Sequence, residues 1–134
     1  MAPNLRQRVW HRANGCCEYC RLPQAYSVLS FEVDHIIARQ HGGKSTEGNL
    51  ALTCYYCNRY KGPNLSGIDP HTGKVVSLFN PRRQQWPRHF RWRDAELIGR
   101  TACGRATIAL LQINQPLLLA HREALMEDGL FPTL

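Results

Sequence analysis

The sequence predicts an α+β domain: a β-loop-β-α unit closed by one metal site and extended towards the C-terminus by a hairpin and two helices. Three observations predict it. Two C-x-x-C pairs, Cys17/Cys20 and Cys54/Cys57, flank a β-rich insert, which is the pattern of one tetrahedral four-cysteine zinc site. Short β-branched and aromatic runs between residues 27 and 53 are separated by a polar, glycine-bearing loop. Apolar residues recur at helical spacing near both ends of the chain.

Each element follows in order. Asn4 is placed to cap a helix through LRQRVWHRA, with Leu5, Val9 and Ala13 on one face and Asn14-Gly15 ending it. CCEYCRLP then makes a tight knuckle that Pro23 prevents from continuing. Ser27–Ile37 (SVLSFEVDHII) reads as a strand carrying Asp34 and His35 near its end. ARQHGGKSTEG is a polar loop, Asn49–Thr53 is a second short strand, and a helix runs from about Cys54 to Gly62-Pro63. Beyond it, GPNLSGIDPHTGK is turn-rich and VVSLFNP is a strand. Arg88–Trp92 pairs with Glu96–Gly99, and helices cover Gly104–Ile113 and Pro116–Glu127, the second with proline in its first turn. The expected division is a helix and zinc-stapled core over residues 1–64 and an extension over 65–134 packed on it.

With 134 residues, the chain has the size of one domain. Hydrophobic content of 43% argues against disorder. No run approaches the roughly 20 apolar residues that span a bilayer, and MAPNLRQRVWHRANG lacks the apolar core of a secretory signal. The expected setting is cytoplasmic and reducing, where paired cysteines serve metal better than disulfides. Cys16 and Cys103 are left as free thiols, with Cys16 an alternative to Cys17 in a longer ligand loop. The formal charge is +7, from 17 Lys+Arg against 10 Asp+Glu. Zinc held by four thiolates would lower it to about +5, a balance that still suits a polyanionic partner.

The run from Cys17 to Gly62 (CEYC, VDHIIARQHGG, NLALTC, YCNRYKG) resembles the zinc-stapled HNH endonuclease family in order, spacing and residue type. The resemblance covers about a third of the chain. It implies a ββα-metal core, also called a His-Me finger, in a small stand-alone nuclease that cuts phosphodiesters with one divalent ion and leaves 5′-phosphate and 3′-hydroxyl ends. The family's signature positions fall on His35, Asn49 and Asn58, with Asn58 standing where the family name has histidine.

Phosphodiester hydrolysis needs an activated water, stabilisation of charge on the non-bridging oxygens, and help for the leaving oxygen. A neutral His35 has the basicity to take a proton from water. Neighbours on an extended strand face opposite ways, so Asp34 and His35 must lie where the strand gives way to its loop. Asp34 offers a charged oxygen ligand and Asn58 a neutral one, which suits Mg²⁺ or Mn²⁺. By the resemblance, Asn49 ties down the Ala38–Gly48 loop and keeps His35 aimed. Each role has a plainer rival: His35 as an ordinary strand-end histidine, Asn58 as a group that satisfies helix backbone. The four cysteines leave no βαβ setting for a redox C-x-x-C. Once bound, zinc with four thiolates is structural, because no coordination position stays open for water.

Candidate phosphate contacts are Lys44, Arg59 and Lys61 around the cleft, and Arg82, Arg83, Arg88, Arg91 and Arg93 in PRRQQWPRHFRWR. The interleaved Trp86, Phe90 and Trp92 are read as buried, since alternate strand positions share one face. His41 is a solvated loop residue, and His11, His71, His89 and His121 have no ligand-like partners. The leucine-rich tail closes a core or forms a dimer seam, with the core favoured. The reading is therefore an HNH-type endonuclease acting on double-stranded DNA, with structural zinc and catalytic Mg²⁺ or Mn²⁺, as monomer or homodimer and without a membrane. A zinc-stabilised nucleic-acid-binding module that does not cut is the alternative. A protein-interaction or redox zinc module is a more distant one.

Overall fold

The structure is a computed structural model and describes residues 3–133. Helix α1 spans Pro3–Arg12. It starts two residues earlier than expected, so Asn4 lies inside the first turn and is not its cap; proline tolerates that first-turn position because its missing N–H needs no partner there. Leu5, Val9 and Ala13 are buried along one face. Asn14 and Gly15, both with positive φ, end the helix as their sequence implies.

Strand β1 (Glu32–His35) pairs antiparallel with β2 (Leu50–Thr53), in a register that sets Asp34 opposite Ala51 and His35 opposite Leu50. The strand expected over Ser27–Ile37 is therefore cut to four residues. Its partner is no longer than that, and upstream Val28 is fully exposed at 101%, with no sheet to join. All four residues of β2 are buried, under α1 on one side. Helix α2 (Tyr55–Lys61) follows directly, with the Cys54 sulfur accepting from the Cys57 amide at its start.

The turn-rich stretch contains a hairpin that its sequence does not announce, β3 (Ser66–Ile68) with β4 (Val75–Ser77). Three-residue strands bury little, and side-chain bonds hold this pair. Asp69, fully buried, accepts from the His71 amide at 3.0 Å and the Thr72 hydroxyl at 3.0 Å. It also takes a two-pronged contact from Arg105 at 2.9 and 2.8 Å. β4 stops short of the expected VVSLFNP strand because Leu78 and Phe79 turn into the core, where Thr107 receives the Phe79 amide at 2.9 Å.

Helix α3 (Trp86–His89) is a single turn started by Pro87, and it displaces the first strand of the next hairpin by two residues. That hairpin is β5 (Phe90–Arg93) against β6 (Glu96–Gly99). Phe90 is buried and Trp92 half-buried, with Arg91 and Arg93 exposed, as strand alternation requires. Helix α4 (Ala102–Leu111) begins two residues before the expected start because Thr101 caps it, accepting from Gly104 at 3.0 Å. Helix α5 spans Pro116–Glu127 as expected. Leu111, Leu118 and Leu125 are buried and Leu117 is exposed.

One cluster of buried side chains runs from Leu5, Val9 and Tyr19 through Leu52 to Phe79, Trp86, Phe90, Leu97, Ile113 and Phe131. Trp86 donates its indole N–H to the Tyr19 carbonyl at 2.8 Å, and the Arg21 guanidinium lies over the same ring. Arg122 is buried and donates to the Ala95 and Ile113 carbonyls and to Asn114. No helix among the described residues is long and apolar enough to cross a membrane.

The Arg105 guanidinium, opposed by burial, holds the Asp69 carboxyl well below the usual carboxylate range. A carboxyl depressed in the folded state stabilises at pH values above its unfolded pKa of about 3.9, and that contribution fades as pH falls further. Asp69→Asn is expected to lower the urea midpoint at neutral pH. The gap from the parent protein should close as the pH of the titration drops below about 4. A gap independent of pH would show that the ion pair is not what holds the hairpin.

Candidate metal centre and catalytic site

The knuckle and the start of α2 bring Cys17, Cys20, Cys54 and Cys57 together in the interior, with all four sulfurs within 4.8 Å of one another. The Cys20 and Cys54 sulfurs are 3.7 Å apart. Thiolates about 2.3 Å from a tetrahedral zinc have edges of about 3.8 Å, so the cluster fits that ion. Cys17, not Cys16, belongs to it; the Cys16 sulfur instead contacts the Asn14 carbonyl at 3.6 Å. Burial opposes charge on Cys17, yet hydrogen bonds from Cys20, Cys54 and Cys57 hold its thiol well below the ordinary range. The Cys57 thiol is pushed well up, first by Cys17 and then by Cys20, Cys54 and burial. A cluster that already favours a thiolate and cannot carry four is suited to a multivalent cation.

Glu18 carries the knuckle into the sheet. Its amide donates to the Leu52 carbonyl at 2.9 Å and its carboxylate accepts from the Leu52 amide at 2.9 Å. The other carboxylate oxygen pairs with Arg82. Arg82 is thus tied to Glu18 with its side chain 14% exposed, unlike Arg83, Arg88 and Arg91, which face solvent.

Asp34 and His35 occupy the last two positions of β1. Lys61, at the last position of α2, donates to Asp34 Oδ2 at 3.1 Å and to the His35 carbonyl at 3.2 Å. Its side chain is 2% exposed. Lys61 was a candidate phosphate contact; it is buried instead, because the Asp34 carboxylate gives its ammonium a partner. Asn58 lies three residues before it, on the same helical face, half-buried and with no side-chain hydrogen bond among the described residues.

The His35 ring is anchored through Nε2, 2.8 Å from the Ser45 hydroxyl oxygen, which also accepts from Arg39 at 3.2 Å. Asn49 braces the intervening loop. Its Oδ1 accepts from the Ile37 amide at 2.9 Å, and its Nδ2 donates to the carbonyls of Ile37 at 3.0 Å and Lys44 at 2.9 Å. Gly43 packs so closely on the Ile37 carbonyl that a side chain there would collide with it. Neither Ser45 as a partner of His35 nor Lys61 as a partner of Asp34 stands out in sequence. Ser45 has no signal beyond its place in a polar loop, and Lys61 has only its spacing from Asn58.

Of the remaining candidates, Lys44, Arg59, Arg83, Arg88 and Arg91 are exposed. Arg59 also donates to the Tyr55 hydroxyl at 2.9 Å, and Arg93 is paired with Glu96. His11, His41 and His71 are exposed and lie outside both centres; His89 and His121 are half-buried.

Residues 17–64 match the family model for HNH endonuclease. The match starts at the first clustered cysteine and ends three residues after Lys61, so the HNH segment contains all four sulfurs, Asp34, His35, Asn49 and Asn58. It suggests nuclease activity on nucleic acid. No curated protein and no solved structure matches the chain.

Two outcomes are expected. Stripping metal with a chelator, or Cys57→Ser, should abolish the far-ultraviolet signature of the folded chain, since binding at such sites contributes on the order of 10 kcal/mol. Asn49→Ala should cost about 2 kcal/mol in urea unfolding and speed hydrogen exchange at the Ile37 amide. Unchanged exchange there would show that the brace is dispensable.

Proposed function

We propose that the chain is a metal-dependent HNH endonuclease that hydrolyses phosphodiester bonds of double-stranded DNA, with residues 1–64 as a ββα-metal core and 65–134 as an extension packed on it. The observation that carries this is the contact of Lys61 with both Asp34 and the His35 carbonyl. It holds the face of α2 that bears Asn58 against the end of β1.

Asp34 Oδ1 and the unengaged Asn58 amide oxygen are hard donors that fit Mg²⁺ or Mn²⁺, with room for water and phosphate. Such an ion would supply Lewis acidity at the scissile phosphate. His35 does the proton chemistry. With Nε2–H donated to the two-lone-pair oxygen of Ser45, Nδ1 is the nitrogen left to accept a proton from the attacking water. Asn49 and Gly43 fix the loop that carries Ser45, and so fix the direction of the ring. Lys61 fixes one oxygen of Asp34 and leaves the other available. The structural zinc holds α2 in register with β1 and takes no part in the chemistry.

Zinc-loaded protein is expected to nick supercoiled plasmid only with Mg²⁺ or Mn²⁺ present. His35→Ala should lower the rate by at least about 100-fold with zinc content and fold intact. Ser45→Ala should leave metal affinity unchanged and lower the rate of cutting, because it frees the His35 ring to turn. DNA binding without cutting under any metal, in the parent protein, would favour a non-catalytic binding module.

A further inference from the structure

Beside the proposed site, two adjoining cavities of about 400 and 340 Å³ share Arg83 and Gln84. The first starts at Ile36 and Lys61, next to His35 and Asp34, and the second continues to Arg88 and His89. No acidic residue is among those lining either one. Their walls are of two kinds. Ile37 and Leu65, 40% and 43% exposed, present apolar surface at the mouth of the first cavity. Asn64, Gln84 and Arg83 surround it with amide and guanidinium groups. Arg83 and Arg88 are exposed, and no ion pair engages them among the described residues. A groove on α1 differs in this respect: Glu47 lines it and already pairs with Arg8, while Arg12 donates to the Glu47 carbonyl.

We infer that this groove takes the strand flanking the scissile phosphate, holding one unpaired nucleotide. This rests on the endonuclease reading above. A nucleobase is a flat apolar ring with hydrogen-bonding edges, which matches an aliphatic wall rimmed by amides. The following phosphates meet Arg83 and Arg88 in turn. Asn64 Nδ2 already donates to the Lys61 carbonyl and Gln84 Oε1 already accepts from the Asn80 amide, so Asn64 Oδ1 and Gln84 Nε2 are the atoms that meet the base edge. A paired base cannot reach Ile37 and Leu65 without leaving its stack. The preferred substrate is therefore a duplex with an unpaired nucleotide at the cutting position, such as a tail or a flap, over a fully paired duplex.

The test uses the full zinc-loaded chain carrying His35→Ala, to prevent cutting, and fluorescently labelled DNA duplexes with and without an unpaired tail. The tailed duplex should bind more tightly, and Leu65→Ser should erase that preference without altering the salt dependence. Arg83→Gln with Arg88→Gln should weaken binding at least roughly tenfold. The same pair should reduce the slope of log K against log salt by about 1.4 to 1.8. Arg6→Gln with Lys74→Gln, both exposed and outside the two cavities, should leave affinity and slope unchanged. Equal binding of the two duplexes, or parent-like affinity and slope in the Arg83/Arg88 variant, would overturn the groove while leaving the endonuclease reading in place. No DNA binding by the His35→Ala chain would overturn both.

Discussion

Four sulfurs held within 4.8 Å of one another in a dry interior are the constraint on which the rest of this structure depends. Without a cation, the cluster sets burial against the charge that its own hydrogen bonds favour, as the opposed shifts of Cys17 and Cys57 show. The surroundings are organised for the anionic state. Burial pushes the Arg122 guanidinium down from its usual range while Cys20, Cys57 and Cys54 pull it back. Arg21 feels the same opposition of burial and cysteine charge, from Cys17 first.

The same cluster sets the geometry of the candidate site. α2 begins on Cys54, whose sulfur caps it, and ends on Lys61. Fixing the first turn to the knuckle fixes where the last turn meets β1. Glu18 reinforces this from the knuckle side by binding both backbone groups of Leu52. Lys61 at the end of α2 then meets Asp34 on β1, one strand of a short antiparallel pair that is too small to be stable alone. Its order comes from the cysteine-clustered ends and from α1, which packs on both strands, and α2, which packs on β1.

The parts of this arrangement carried by local pattern were legible in sequence. The cysteine spacing, the order of β1, β2 and α2 and the C-terminal helices rest on motif spacing, turn residues and periodicities that act over a few residues, whereas the Asn49 brace came only from the family resemblance. What escaped depends on partners far along the chain. The β3–β4 hairpin consists of strands too short to show alternation, and Arg105, 36 residues from Asp69, holds its turn. Lys61 and Arg82 look like surface cations until Asp34 and Glu18 are placed beside them. A run of arginines reads as one basic patch in sequence, whereas in three dimensions one is tied to Glu18, one is paired on a hairpin and two line a groove.

The bond from Trp86 to the Tyr19 carbonyl has an optical consequence. Tyr19 lies between Cys17 and Cys20, so the indole is attached directly to the segment that the cation organises, with Arg21 over its face and Trp92 close by. When the knuckle loses its order, this chromophore passes from a dry, hydrogen-bonded setting into water. The indole emission of the chain, to which Trp10 and Trp92 also contribute, is thereby expected to change with metal occupancy, readable without a label and without reference to any substrate.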